Sequence, residues 1–331
     1  MKPRWMSEMA NELSHLRISD LVIPGIYSGR WRNNQCHRES PYTDVNPSKK
    51  DFIWHQLVFG TRYLQVNISY RPETKCKFHV SVGLSCDIPL QSFIYDIVKF
   101  MSQTDEIVII DILQLPSEFA DYPEQRQDLL SLLETNFKGW MATDVLSPNQ
   151  TFGELQQRGS RLIVMYPSSE RSTSAHLWES IYHLWSKITN EEDLIHLLYD
   201  CIPQQRGRSL WALTLEFSME KLLQWGGWSG TLAIENSEVE STFSREWWNM
   251  VNIIAVDSLL SSDIVEVAIE ANKKKATWTA EIKQTKVLAR RRWLAKGYKR
   301  RHLVRVVART SKIICRKQLL LSTFKILKYP V

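Results

Sequence analysis

Seven apolar runs of strand length recur along this chain, and helix-length segments separate most of them. The runs are 21–23 (LVI), 62–69 (RYLQVNIS), 77–84 (KFHVSVGL), 106–113 (EIVIIDIL), 161–166 (RLIVMY), 209–215 (SLWALTL) and 250–256 (MVNIIAV). Strands that alternate with helices are joined as parallel βα units. Near-continuous apolar strands, buried on both faces, suit a closed sheet. The expected fold class is therefore α/β, an irregular TIM-like (β/α) barrel. A doubly wound open sheet is the competitor, and it wants a glycine-rich phosphate turn after its first strand. Neither GxGxxG nor GxxxxGK[ST] occurs, and the chain has only 12 glycines, which disfavours nucleotide binding.

The intervening segments carry helical periodicity. Residues 88–104 place Phe93, Ile97, Phe100 and Met101 on one face. Residues 122–137 and 175–199 are similarly patterned. Residues 261–272 open with Ser-Ser-Asp and continue as a capped amphipathic helix.

In a βα barrel the chemistry stands at the C-terminal ends of the strands. After the first strand, Pro24-Gly25 reads as a sharp turn that presents Ile26, Tyr27 and Ser28. On the second strand Tyr63, Gln65 and Asn67 share a face by the period of two. Ser81 and Val82 end the third, before Gly83-Leu84. Asp111 lies on the fourth, Tyr166 on the fifth, Thr214 on the sixth, and Asp257 follows the seventh.

These pieces resemble the X-domain phosphatidylinositol-specific phospholipases C. The matching segments are Trp5-Met6-Ser7, Ile23-Pro24-Gly25, the run from Gln56-Leu57 through Gly60 to Arg62-Tyr63-Leu64, Gly83-Leu84, Glu106 to Asp111, Leu213-Thr214, and Asn252-Ile253-Ile254 with Asp257. They span roughly residues 5–275 in unbroken order. The resemblance implies an irregular TIM-like barrel and a phosphoric diester hydrolase. In that family one histidine deprotonates the attacking inositol hydroxyl and a second protonates the leaving diacylglycerol oxygen. Arginine or calcium stabilises the phosphoryl oxygens.

Carried over position by position, that chemistry is missing. The family's first His-Asp pair falls on Tyr27 and Ser28, and its carboxylate and arginine (or second carboxylate) fall on Gln65 and Asn67. Its second histidine falls on Val82. Tyrosine ordinarily titrates near pH 10, about three orders of magnitude from a useful base at neutrality. No cation on these strands is expected to lower it. His79 is offset from Val82 by three and is expected to face away from the site. His37, on the following loop, is the other histidine that could reach inward. No cofactor and no metal are expected. Asp111, Tyr166, Thr214 and Asp257 are the candidate barrel-mouth residues, with strand-end hydrogen bonding as the alternative role for the two aspartates. The expectation is a catalytically impaired relative, a pseudoenzyme. Its alternatives are a phosphodiesterase of altered mechanism using Tyr27, His37, Asp111 or Asp257, and a membrane or partner adaptor.

Charge divides the chain at its far end. Residues 273–331 hold 19 of the 42 Lys and Arg but one of the 36 Asp and Glu, so this segment is +18 and residues 1–272 are −12. The expected domains are a barrel over 1–275 and a basic amphipathic or disordered tail over 276–331. Val287, Leu288, Trp293 and Leu294 interspersed with Arg and Lys point to phosphoinositide or another anionic membrane lipid. A solvated tail and docking on the acidic body are the alternatives. Charge alone would also allow nucleic acid, but no recognised module accompanies it, and none is expected as a partner. Thirteen tryptophans, including Trp225, Trp228, Trp247 and Trp248, suit core and rim packing or an aromatic patch. No run of 18 apolar residues spans a bilayer, and residues 1–20 lack a signal core. Five scattered cysteines without CxxC suit neither zinc nor a disulfide framework. The expected location is cytoplasmic, at a membrane periphery.

Overall fold

The computed structural model describes residues 1–27, 52–82, 85–116, 119, 123–143, 148–167, 174–188, 193, 196–205, 207–217, 250–256 and 264–295. The chain divides into two compact units, Met1–Lys273 and Lys274–Val331.

The first unit is built on one sheet. In chain order its strands are β1 (Ile23–Ile26), β2 (Tyr63–Tyr70), β3 (Phe78–Val82), β4 (Ser85–Pro89), β5 (Val108–Gln114), β6 (Leu162–Tyr166), β7 (Leu177–Glu179), β8 (Tyr182–Ile188), β9 (Trp211–Phe217) and β10 (Ile253–Val256). The spatial order β7-β6-β5-β2-β1-β10-β9-β8 is parallel at every step. The sheet curls into a half-barrel. Among the described residues no pairing closes it between β7 and β8. β3 and β4 form an antiparallel hairpin hung on β2.

All seven apolar runs contain strands, but the first differs in detail. Ile23-Pro24-Gly25-Ile26 is β1 itself, paired Pro24↔Ile254 and Gly25↔Ala255, not a turn after a strand. A proline survives here because alternate residues of a parallel strand face alternate neighbours. The Ile23 and Tyr27 amides donate to the carbonyls of Asn252, just ahead of β10, and of Val256, while the Pro24 carbonyl accepts from Arg62. The missing Pro24 donor faces β2 just ahead of its first residue, so no ladder bond is lost. Gly25 is required by contact. A Cβ there would lie 2.5 Å from Tyr63 Cδ1 and 2.8 Å from the Tyr63 carbonyl oxygen.

Helices α1 (Trp5–Glu8), α2 (Ala10–Leu13), α3 (Phe52–Phe59), α4 (Leu90–Gln103), α5 (Pro123–Phe137) and α6 (Phe152–Arg158) belong to the same unit. α4 buries the expected face, with Phe93, Ile97, Phe100 and Met101 all inaccessible. α6 opens with a Thr151–Glu154 capping box and ends on Gly159, at φ 69°. The Thr151 backbone and hydroxyl bonds hold the Glu154 carboxyl below its ordinary value.

Two helical expectations are corrected. Residues 175–199 contain β7, β8 and a π-helical turn over Leu197–Cys201, not one helix. In YHLWSKI the aromatic and branched residues favour a strand, and β9 supplies a parallel partner over its whole length. The helix expected over 261–272 instead runs Ile264–Ala295. Residues 273–295 contain no Gly or Pro and are rich in Ala, Lys, Arg and Leu, so nothing stops it.

The N-terminal end of the half-barrel is fastened by a buried ion pair. Arg62 Nε donates to Glu106 Oε2 at 2.8 Å, and its other nitrogens donate to the carbonyls of Leu57, Thr61 and Pro3. Glu106 also accepts the Met6 and Ser7 amides. Phe100 lies under the guanidinium, 4.9 Å from it, and Trp5 donates to the Gly60 carbonyl. Burial lowers the Arg62 pKa and Glu106 opposes that. Trp5-Met6-Ser7, Gly60-Thr61-Arg62 and Glu106 thus meet in one node, at the end of the strands opposite to where barrel chemistry sits.

Candidate functional site

Register brings the first polar pair together. β2 and β5 place Gln65 opposite Asp111, and both side chains are fully buried. Tyr63 OH donates to Asp111 Oδ2 at 2.6 Å. Burial first, and then the adjacent Asp111 carboxylate, pushes the Tyr63 phenol well above its ordinary value. Tyr63 is therefore a fixed donor, neutral across the physiological range.

The third partner comes from across the curl. His183, on β8, stands between Gln65 and Asp111 with its side chain 9% exposed. Gln65 Nε2 lies 3.3 Å from His183 Nδ1. With the amide nitrogen facing the ring, Nδ1 accepts in the tautomer that carries its proton on Nε2. That Nε2 is 3.1 Å from Asp111 Oδ2, off the axis of a linear hydrogen bond. β8 is four pairings from β2 and five from β5 along the sheet. Only curling makes the contact possible.

Aromatic packing walls this cluster. Tyr27, just past β1, is 3% exposed and meets Trp185 edge to face, with ring centroids 5.7 Å apart. Trp185 stacks in turn near His183 at 6.1 Å. Gln65 Oε1, Asp111 Oδ1 and Thr214 Oγ1, like His183 Nε2, are buried with no protein hydrogen bond. Two of them are acceptors side by side on β2 and β5. They suit a hydroxyl, an amine or water.

Of the sequence-derived candidates, Tyr27, Gln65, Asp111, Tyr166 and Thr214 are all buried on barrel strands or their ends. Gln65 and Asp111 share the His183 cluster. Tyr166 closes β6, in register with Glu179. Asn67, half-buried on β2, lies opposite Gln114 just past a register shift that passes over Leu113 of β5. Val82 is not on a parallel barrel strand; it pairs with Val66 in the antiparallel β3. His79 is on the same hairpin strand, opposite Ser69 and Pro89. Ser28, His37, Gly83, Leu84 and Asp257 lie outside the described residues, as do the four paired tryptophans and the chain beyond Ala295.

His183 is the residue that sequence reasoning missed. It was hidden inside a segment with apparent helical periodicity. The available signal was alternation within YHLWSKI, which puts His183 and Trp185 on one strand face. Chemically, the cluster combines one imidazole, one carboxylate and one phenol donor. Among the described residues, no Lys or Arg pairs with Asp111, and no group of three His, Cys, Asp or Glu side chains is placed to hold a metal ion.

No family model and no curated protein matches the chain. Among solved structures, it is similar to a pentafluoro-Phe-substituted phosphatidylinositol-specific phospholipase C from Staphylococcus aureus. The identity is 13%, over 82% of this chain and 97% of that one, with a TM-score of 0.49.

Proposed function

We propose that this protein is a phospholipase C X-domain-like barrel that does not carry out the family's two-histidine cleavage of phosphatidylinositol. The observation that carries the reading is Tyr27. It occupies the position where the sequence resemblance calls for the general base, and it is buried edge-on against Trp185. The neighbouring family position, Gln65, is neutral and engaged with His183. A general acid or base contributes about 10²–10⁴-fold each, so loss of both leaves little cleavage by that route. Purified protein is to be incubated with phosphatidylinositol vesicles beside an intact family member. The expected result is no cyclic inositol phosphate above background. Release at a comparable rate would overturn the reading.

A second reading has one observation in its favour. His183 beside Asp111 is an imidazole–carboxylate pair inside the barrel, and such a pair can relay a proton. In this reading the protein turns over a phosphodiester by an altered mechanism. Any turnover found in a substrate screen should then fall by about 10²-fold or more in both His183→Asn and Asp111→Asn. Turnover unchanged in either variant removes the second reading.

Under both readings the protein is cytoplasmic and meets the bilayer peripherally, with phosphoinositide or another anionic lipid attracted to the basic segment that begins at Lys273. No helix of the described residues is long and apolar enough to cross a membrane. Lysine and arginine near an anionic surface contribute about 1 kcal/mol each.

A further inference from the structure

We infer that Cys201 is a nucleophilic thiol, set up by His196 and Asp200 for thiol–disulfide exchange with low-molecular-weight disulfides. Cys201 Sγ lies 3.5 Å from His196 Nε2, and His196 Nδ1 lies 2.8 Å from Asp200 Oδ2. Nucleophile, base and orienting carboxylate stand in the order such a triad requires. The thiol is free and half-exposed, and the imidazole is 67% exposed, so a small reagent in solution reaches both.

The backbone explains the juxtaposition. An α-helix advances about 100° per residue, which would set residues five apart about 140° from one another. Leu197–Cys201 is instead a π turn, closed by the Ile202 amide donating to the Leu197 carbonyl. Its i to i+5 closure stacks residue 202 on 197, and the same winding brings Cys201 over His196. Asp200, four residues on from His196, stays beside the ring. Isolated π turns are rare and concentrate at functional sites.

The Asp200 carboxylate accepts the Nδ1 proton, leaving the Nε2 lone pair toward sulfur. As Cys201 Sγ attacks one sulfur of the disulfide, its proton passes to His196 Nε2. A Cys201–S bond forms and the reagent's S–S bond breaks. The departing thiolate then takes the proton from the imidazolium. Cys201 ends oxidised as a mixed disulfide, and the other half of the reagent is reduced to a thiol.

The test treats the full chain with glutathione disulfide and follows each cysteine by peptide mass spectrometry. Cys76, also free and half-exposed, is the internal reference. At pH 7, Cys201 should react about tenfold faster than Cys76 or more, less than the about 10²–10⁴-fold of a fully enclosed base because solvent reaches both partners. His196→Gln should remove that advantage and make the Cys201 rate rise with pH as steeply as the Cys76 rate. Asp200→Asn should lie between the two, and Cys76 should not change in either variant. Both replaced side chains are exposed, and circular dichroism verifies that the fold survives. Equal wild-type rates at the two cysteines, or an undiminished Cys201 rate in His196→Gln, would sink the assignment.

Discussion

At the scale of single residues, the barrel interior is governed by one carboxylate. Asp111 is fully buried, yet it takes the Tyr63 hydroxyl on Oδ2 and faces His183 with the same oxygen. The Tyr63 phenol is held above its ordinary value by burial and by Asp111. A group whose folded pKa is raised adds stability that is complete below its unfolded pKa, near 10 for tyrosine. That stability is lost as the pH climbs above it, because the unfolded chain then gives up the proton first. The urea midpoint of the wild type should therefore drop between about pH 9 and 11 more steeply than that of Tyr63→Phe; parallel curves would remove this role. Glu106 tests the opposite end. Deleting it leaves a buried guanidinium paired only with carbonyls, and breaking such a pair costs about 3–5 kcal/mol. Glu106→Ala should lose that much in denaturant unfolding, and a loss under about 1 kcal/mol would mean that the Arg62 node is not what fastens the base.

At the scale of elements, strand β1 shows how a short motif reads differently in three dimensions. Ile-Pro-Gly-Ile has the composition of a turn, and sequence reasoning makes it one. Parallel neighbours on both sides make it a strand, since β10 and β2 supply partners that no local rule can see. Gly25 is there because Tyr63 leaves no room for a Cβ. Gly25→Ala should cost about 1–3 kcal/mol through forced displacement of β2, measured as a shift in urea midpoint with unchanged slope. It should also loosen the Tyr63–Asp111 bond. β8 carries the reverse lesson. Its residues fit a helical period and a strand period about equally, and pairing with β9 decides between them. With β8 misread, the histidine of the cluster could not be placed. Gln65 and Asp111 were legible because long, near-continuous apolar strands fix which residues lie at which level of a parallel sheet.

At the scale of the whole molecule, charge is segregated along the chain, and this asks for an electrostatic test. Residues 1–272 carry −12 and residues 273–331 carry +18. Vesicles containing anionic phospholipid should float the full chain at low salt. They should release it as ionic strength rises and the Debye length contracts from about 10 Å at 0.1 M to about 3 Å at 1 M. A chain ending at Ala295, which keeps the Ile264–Ala295 helix, should bind more weakly than the full chain; equal flotation would take lipid contact away from the segment beyond it. The sequence by itself determined the α/β class, six of the eight runs that form the parallel sheet, the α4 face and the absence of histidine from the expected catalytic positions. Each of these is written in local period or residue identity. Only the tertiary structure decided that β1 runs through Pro-Gly, that among the described residues the sheet curls without pairing β7 to β8, and that His183 reaches Asp111. β1 depends on partners 38 and 230 residues away, and the His183–Asp111 contact joins residues 72 apart; their meeting is set by strand pairing and curvature rather than by any nearby residue.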